Sequence, residues 1–157
     1  MKNWLAMPLV LTAVGLGMLA PAASPCTCDG VPTLAQALET SLAVFRGVAT
    51  AQEVDPSAPE HLRVTFAVTG YWIGPVTPTY TITTYGSTAG CGSGFSPDTE
   101  YLVFAYPSDF GPMTGQCTRN KPIFLAADDL KELGPPKAPN QQITWGLLKV
   151  HTFGSTP

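Results

Sequence analysis

Charged side chains and histidines are scarce in this sequence. Of 157 residues, 8 are Lys or Arg, 11 are Asp or Glu and 2 are His. Residues 23–157 carry seven basic and eleven acidic side chains, a net charge of −4. A mildly acidic chain lacks the cationic field that attracts nucleic acid or anionic lipid. We therefore expect neither of them as a partner.

The motifs of common catalytic and metal sites are also missing. The chain has no Cys-x-x-Cys pair, no His-Glu-x-x-His motif and no Gly-x-Ser-x-Gly turn. We expect the two histidines, His61 and His151, to be surface or hydrogen-bonded side chains rather than ligands. Asp128 and Asp129 are interpreted as charge on an exposed helix face. The sequence therefore predicts a protein that is not an enzyme and has neither a cofactor nor a metal ion of its own.

No long apolar run follows residue 22, but one precedes it. Lys2 is followed by an apolar stretch and by a small-x-small cleavage pattern that ends at Ala22. The stretch is shorter than a membrane span requires. We expect a signal peptide at residues 1–22, cleavage after Ala22 or Ala23, no membrane insertion, and a mature chain that is secreted or periplasmic.

Glycine, proline and threonine are abundant, with 15 Gly and 16 Pro in the chain. This composition favours short strands joined by turns over a helical bundle. We expect one mainly β domain at residues 23–134. Residues 135–157 are interpreted as a Pro-rich linker and a C-terminal tail.

Two helices and five strands are predicted. Thr33 is a suitable N-cap for a helix at residues 32–41, and Gly134 follows the end of a second helix at residues 125–133. Gly47 indicates a bulge or a bend inside the first strand. Strands are predicted at residues 43–51, 61–72, 79–85, 100–106 and, as a short or edge strand, 116–119. Apolar and polar residues alternate most clearly in 61–72, whereas 100–106 is largely apolar, which is typical of a core strand.

Four cysteines lie in the part of the chain expected to be exported: Cys26, Cys28, Cys91 and Cys117. They allow three pairings, of which a bridge between Cys26 and Cys28 would be strained. The other two pairings both tie the start of the mature chain to two later segments, and the residues alone leave the choice between them open. Each bridge would contribute on the order of 2–4 kcal/mol, and the even cysteine count agrees with an oxidising compartment.

Six short segments occur in a distinctive order between residues 26 and 133. They are CTC (26–28), AVFRGV (43–48), WIG (72–74), AGCG (89–92), YLVFA (101–105) and CTR (117–119). Together with the predicted strands and helices, they resemble the netrin-like module and, within it, the tissue inhibitors of metalloproteinases. The resemblance implies a five-stranded OB-fold-like closed barrel with one early and one late helix. It also implies bridges from Cys26 to Cys91 and from Cys28 to Cys117.

The same resemblance implies a binding edge at the start of the mature chain. In the inhibitors, the α-amine and carbonyl of the first cysteine bind the zinc of the protease, and the next side chain enters its specificity pocket. The binding residues implied here are Cys26, Thr27, Cys28 and Asp29, with Ala89 and Gly90 beside them. Cleavage after Ala22 or Ala23 leaves further residues ahead of Cys26, so Cys26 meets a partner's zinc only if these are removed.

The main functional hypothesis is a secreted, disulfide-stabilised monomer that binds another protein, with a zinc metalloproteinase as the candidate partner. A competing hypothesis is a structural or adhesion module of the cell envelope without a protease target. A third is a small-ligand or glycan binder that uses aromatic side chains on strands, although such side chains more often pack in a core or across strands. These aromatic residues are Tyr71, Trp72, Tyr80 and Tyr85.

Overall fold

The computed structural model of the protein describes residues 26–74, 76–87 and 90–139. These residues form a mainly β fold with two α-helices and one six-stranded sheet, as the sequence predicts for the fold class. The helices are α1 (Leu34–Thr40) and α2 (Ala127–Leu133), and a 3-10 helix (Ile123–Leu125) precedes α2. The strands are β1 (Ala43–Asp55), β2 (Ala58–Ile73), β3 (Thr79–Tyr85), β4 (Glu100–Ser108), β5 (Gly111–Met113) and β6 (Lys121–Pro122).

Helix α1 begins two residues after the predicted start, and the predicted cap residue Thr33 is its N-cap. The Thr33 hydroxyl accepts a hydrogen bond from the backbone N–H of Gln36 at 3.3 Å, and the Gln36 side chain accepts one from the N–H of Thr33 at 2.9 Å. This reciprocal pair is a capping box. Leu34 and Ala37 are buried on the face of α1 that packs with Phe104 of β4. The helix prediction is therefore confirmed.

Strands β1 and β2 form a long antiparallel hairpin. Asp55 closes its turn by accepting hydrogen bonds from the N–H and the hydroxyl of Ser57, at 2.9 and 2.6 Å. The alternation predicted for β2 is confirmed, since Val64, Phe66 and Val68 are buried and Arg63, Ala67 and Thr69 are exposed. The pairing slips between Arg46 and Gly47, where a side chain on Gly47 would meet the carbonyl oxygen of Ala67 at 2.9 Å. The predicted irregularity at Gly47 is thus also confirmed.

The pairing of the strands joins them into a single sheet. β1 pairs antiparallel with β2 and, over residues 43–48, with β4. β2 also pairs with β3, while β4 also pairs with β5 and β6. β5 meets β3 in parallel, where Thr83 lies beside Met113. The sheet has six strands where the sequence predicts five. The short strands β5 and β6 were not predicted, because they contain too few residues to produce a periodic pattern.

Two clusters of buried apolar side chains lie on this sheet. In the first, aromatic rings meet edge to face, with centroids 5.4 Å apart for Phe45 and Phe66 and 5.0 Å apart for Phe95 and Tyr101. The second lies between the sheet and the helices and consists of Leu34, Ala37, Val44, Leu102, Phe104 and Ala126. β4 contributes alternate side chains to both clusters. This explains why residues 101–105 are apolar throughout, as a strand buried on both faces requires.

The strand predicted at residues 116–119 is wrong. Those residues form a turn, in which the Thr118 hydroxyl donates to the carbonyl of Gly115 at 2.7 Å. The strands on either side of the turn are β5 and β6. The turn brings Cys117 to the start of the described chain, where it is bonded to Cys28.

Helix α2 starts two residues later than predicted and ends where predicted. Gly134 ends it with a φ of +70° and donates its N–H to the carbonyl of Leu130 at 3.1 Å. Lys137 then pairs with Tyr71 of β2 through two backbone hydrogen bonds of 2.7 and 3.0 Å. Among the described residues, no helix is long and apolar enough to cross a membrane. The predicted signal peptide, the tail from residue 140 onward and His151 lie outside the described residues.

Candidate functional site

Two disulfides hold the start of the described chain. Cys26 is bonded to Cys91 and Cys28 to Cys117, with Cα atoms 5.1 and 5.4 Å apart. Both separations lie within the ordinary range for a disulfide. Of the two pairings that the residues alone leave open, this is the one implied by the resemblance, and the structure confirms it.

The first four described residues, 26–29, contain the two tethered cysteines and the residue that follows each of them. We call this segment the N-terminal edge. Thr27 and Asp29 are exposed, whereas Cys26 and Cys28 are half-buried. Gly90, also expected to flank the edge, is half-buried and adjoins Cys91 in the chain. Ala89, the other expected flanking residue, lies outside the described residues. The bridges therefore leave two polar side chains of the N-terminal edge accessible to a partner.

The loop that carries Cys91 is folded tightly beside the N-terminal edge. The N–H groups of Gly90 and Gly92 both donate to the carbonyl of Ser87, at 3.1 and 2.9 Å. Cys91 itself adopts a left-handed φ of +65°, and its carbonyl accepts a hydrogen bond from the N–H of Gln116 at 2.7 Å. This bond joins the Cys91 loop to the Cys117 turn, so the two later cysteines are held near each other by backbone contacts as well.

The sulfur atoms of the two bridges lie close together. Those of Cys26, Cys28 and Cys117 all lie within 4.8 Å of one another, a spacing in the range of a metal site. Each of these sulfurs is part of a disulfide, whereas cysteine binds metal as a thiolate. The sulfur cluster is consequently a contact between two disulfide bridges and not a set of thiolate ligands.

No protein-family model matches this chain, and no curated protein is significantly similar to it. The functional interpretation therefore depends on the residues of the chain and on their geometry.

Arg119 anchors the segment that follows the N-terminal edge, a role that its place in the CTR segment does not predict. Its guanidinium donates to the carbonyl of Pro32 at 2.7 Å. It also donates to both carboxylate oxygens of Asp129 in α2, at 3.0 and 2.7 Å. Lys121 adds a third contact to the same carboxylate at 2.8 Å. A bidentate pair of this kind combines charge with fixed geometry, so Arg119 joins the N-terminal segment to α2.

The interpretation of Asp129 as an exposed charge is wrong. Its side chain is 4% exposed, whereas the neighbouring Asp128 is exposed as predicted. Burial by itself raises the pKa of Asp129, but the hydrogen bonds from Arg119 and Lys121 outweigh that effect and leave the pKa below its ordinary value. The bond to Asp129 likewise raises the pKa of Arg119. The pair is therefore ionised at neutral pH, and nothing in the local sequence pattern predicts it, because its members lie on a turn and a helix.

An open hollow of about 470 Å³ adjoins the N-terminal edge. Its charged lining residues are Asp29 and Glu39, and its lining includes Val31, which is 67% exposed. No basic side chain among the described residues lines it. The surface beside the edge thus combines negative charge with an exposed apolar side chain.

The expected setting of His61 is also wrong. Its side chain is 2% exposed, and neither ring nitrogen has a hydrogen-bond partner among the described residues. The imidazole lies instead between the rings of Tyr85 and Phe110, at centroid distances of 4.8 and 4.3 Å. His61 was expected to be at the surface or hydrogen-bonded because its flanking sequence does not show that the β4–β5 turn covers it.

The four aromatic residues considered for ligand binding are divided among three environments. Tyr71 and Tyr80 pack against the first apolar cluster, and Trp72 packs against the second. The indole N–H of Trp72 also donates to the carbonyl of Gly134 at 2.9 Å. The ring of Tyr85 contacts the ring of His61 at a tilt. These residues therefore act mainly in packing, and they do not share one exposed face.

Proposed function

We propose that this chain is a netrin-like module with an OB-type closed barrel, as in the tissue inhibitors of metalloproteinases. The pairing order supports this proposal, because the succession β1-β2-β3-β5-β4 returns to β1. A ring of paired strands is what closure of a five-stranded barrel requires. The positions of α1 before β1 and α2 after the last strand also agree with that architecture.

On this basis, the N-terminal edge binds another protein outside the cytoplasm, and its candidate partner is a zinc metalloproteinase. The observation that carries the proposal is the exposure of Thr27 between two cysteines that are each bridged to a different loop. A segment held at both sides loses little conformational freedom when it enters a cleft, so more of its contact energy contributes to affinity. The acidic hollow beside the edge supplies further surface for the same partner.

Binding of the partner's zinc depends on where the mature chain begins. The α-amine of Cys26 is available as a ligand only when Cys26 is the first residue, and a neutral amine is a good zinc ligand. Determining the N-terminus of the exported protein by mass spectrometry tests this part of the proposal, because zinc binding by the α-amine requires removal of the residues between the expected cleavage site, after Ala22 or Ala23, and Cys26. A chain that starts at Ala23 or Ser24 contradicts zinc binding by the α-amine.

Protease inhibition is tested by titrating the exported protein against a panel of zinc metalloproteinases. Thr27→Arg places a long cation at the centre of the edge and is expected to weaken inhibition at least tenfold, and the melting temperature of each variant is measured to show that it is folded. Thr79→Arg is the matched control, because Thr79 is also exposed and lies at the start of β3, away from the bridges. Equal inhibition by both variants contradicts a role for Thr27. No inhibition by the unchanged protein at micromolar concentration contradicts the protease proposal and favours a module of the cell envelope.

A further inference from the structure

The two disulfides are in contact with each other. The Sγ atoms of Cys26 and Cys117, which belong to different bridges, lie 3.9 Å apart. The group of three sulfurs within 4.8 Å of one another contains Cys28 but not Cys91. All four cysteines are half-buried rather than enclosed, so a small thiol in solution reaches the bridges.

We propose that the two bridges form an exchange pair, in which reduction of either one converts the other into a bridge between Cys26 and Cys117. Disulfides rearrange when a thiolate attacks one sulfur of an existing bridge. Cys26 and Cys117 are the members of the two bridges whose sulfurs are already in contact. Reduction of one bridge therefore places a new nucleophile beside the bridge that remains.

Both orders of reduction lead to the same product. When a dithiol reduces the bridge from Cys28 to Cys117, the dithiol is oxidised to its own disulfide and two protein thiols form. The Cys117 thiolate then attacks Sγ of Cys26, the new bridge forms, and Cys91 leaves as a thiolate that takes up a proton. When the bridge from Cys26 to Cys91 is reduced first, the Cys26 thiolate attacks Sγ of Cys117 and Cys28 leaves. In each case one dithiol is consumed, and Cys28 and Cys91 end as free thiols.

The rearrangement changes how the N-terminal edge is held. The loop that carries Cys91 loses its covalent link to the edge and retains the backbone hydrogen bond from Gln116 to Cys91. Cys26 becomes fixed to the Cys117 turn, while the contact from Arg119 to Pro32 is unaffected. The pair is thus a redox-sensitive device that releases the loop beside the edge, and the inference holds whether or not the edge binds a protease.

Limited reduction of the unchanged protein provides the first test. The folded protein is treated with one equivalent of dithiothreitol, quenched with acid, alkylated and mapped by peptide mass spectrometry. We expect the singly reduced fraction to contain mainly the bridge from Cys26 to Cys117, with Cys28 and Cys91 alkylated. A singly reduced fraction that contains only native bridges overturns the proposal.

A matched pair of variants tests the role of sulfur proximity. Cys28→Ser leaves a free thiol at Cys117, in contact with the remaining bridge, and is expected to expose Cys91 to alkylation. Cys26→Ser leaves a free thiol at Cys91, outside the sulfur cluster, and is expected to keep the bridge from Cys28 to Cys117. We expect the rearranged fraction to be at least tenfold larger in Cys28→Ser. Equal fractions contradict the proposal, and the test on the unchanged protein decides it if a variant does not fold.

Discussion

Asp129 and His61 are both buried titratable side chains, but their surroundings are opposite in kind. Asp129 as a whole residue is 3% exposed. Its carboxylate accepts two hydrogen bonds from Arg119 and forms an ion pair with Lys121. His61 is 2% exposed and is surrounded by the rings of Tyr85 and Phe110, with no hydrogen-bond partner among the described residues. A buried polar group without a partner has given up its hydrogen bonds to water and gained none in the protein, which lowers the free energy of unfolding. Removing a polar side chain should therefore have opposite effects at the two positions.

The two side chains also differ in what they connect. Asp129 links α2 to the Cys117 turn through Arg119, and Arg119 continues the link to Pro32 beside the N-terminal edge. His61 lies on β2, where Phe110 from the turn between β4 and β5 covers it. The ion pair thus supports the candidate binding site, whereas the imidazole fills space under a turn.

The largest expected effect is that of Asp129→Asn. This change removes the carboxylate charge and leaves the Arg119 guanidinium and the Lys121 amine without their counter-ion. Breaking a buried pair costs about 3–5 kcal/mol, but these two cations are partly exposed and recover some hydration, so we expect a loss of about 2 kcal/mol. Urea denaturation with the disulfides intact measures the change in the free energy of unfolding.

Asp128→Asn is the control for that experiment, because Asp128 is the exposed neighbour on the same helix. Its effect should stay within about 0.5 kcal/mol, as for most surface substitutions. A similar loss for both variants would show that the first turn of α2 is sensitive to any lost negative charge, and the specific role of Asp129 would then be wrong.

A smaller effect of opposite sign is expected for His61→Phe. The benzyl ring keeps the tilted ring contacts with Tyr85 and Phe110 and removes two polar atoms that have no partner among the described residues. We expect the protein to become more stable by about 1 kcal/mol. His61→Asn keeps polar atoms while losing the ring and should be destabilised. If thermal denaturation shows equal destabilisation of both variants, the imidazole has a role other than filling space.

The last prediction concerns pH and sharpens the first one. Because the folded pKa of Asp129 lies below its ordinary value, its contribution to stability is present above the unfolded pKa of about 4 and is lost as pH falls through the folded value. The difference in unfolding free energy between the unchanged protein and Asp129→Asn should therefore shrink as the pH falls from about 6 to about 2. Urea denaturation at pH intervals of about half a unit measures this trend. A difference that stays constant across this range contradicts the ionised pair.

Local patterns predicted the elements that local interactions decide. The cap at Thr33 and the alternation along β2 depend on residues a few positions apart, and both are confirmed. The strands β5 and β6 contain three and two residues, too few for any periodicity to identify. The turn at residues 116–119 was predicted as a strand because its shape depends on distant partners, namely the Cys28 bridge and the hydrogen bond from Gln116 to Cys91.

In the candidate site, too, some features could be predicted from the sequence and others depend on distant partners. The residues alone predicted that the N-terminal edge is tied to two later segments, because a bridge between Cys26 and Cys28 would be strained. They left open which cysteine joins which, and that pairing appears only when the Cys91 loop and the Cys117 turn are placed in space. Arg119 was not identified as part of the site for the same reason, since its partners lie on separate elements.

By itself, the sequence determined the mainly β fold class, the presence of the first two strands, the N-cap of α1 and the covalent attachment of the N-terminal edge. Only the tertiary structure decided that Asp129 is buried while Asp128 is exposed, and that His61 lies between two rings. Strand and helix periodicity arises from neighbouring residues along the chain. Burial of one polar side chain depends on which distant segment packs against it, and that segment is not specified by the residues on either side.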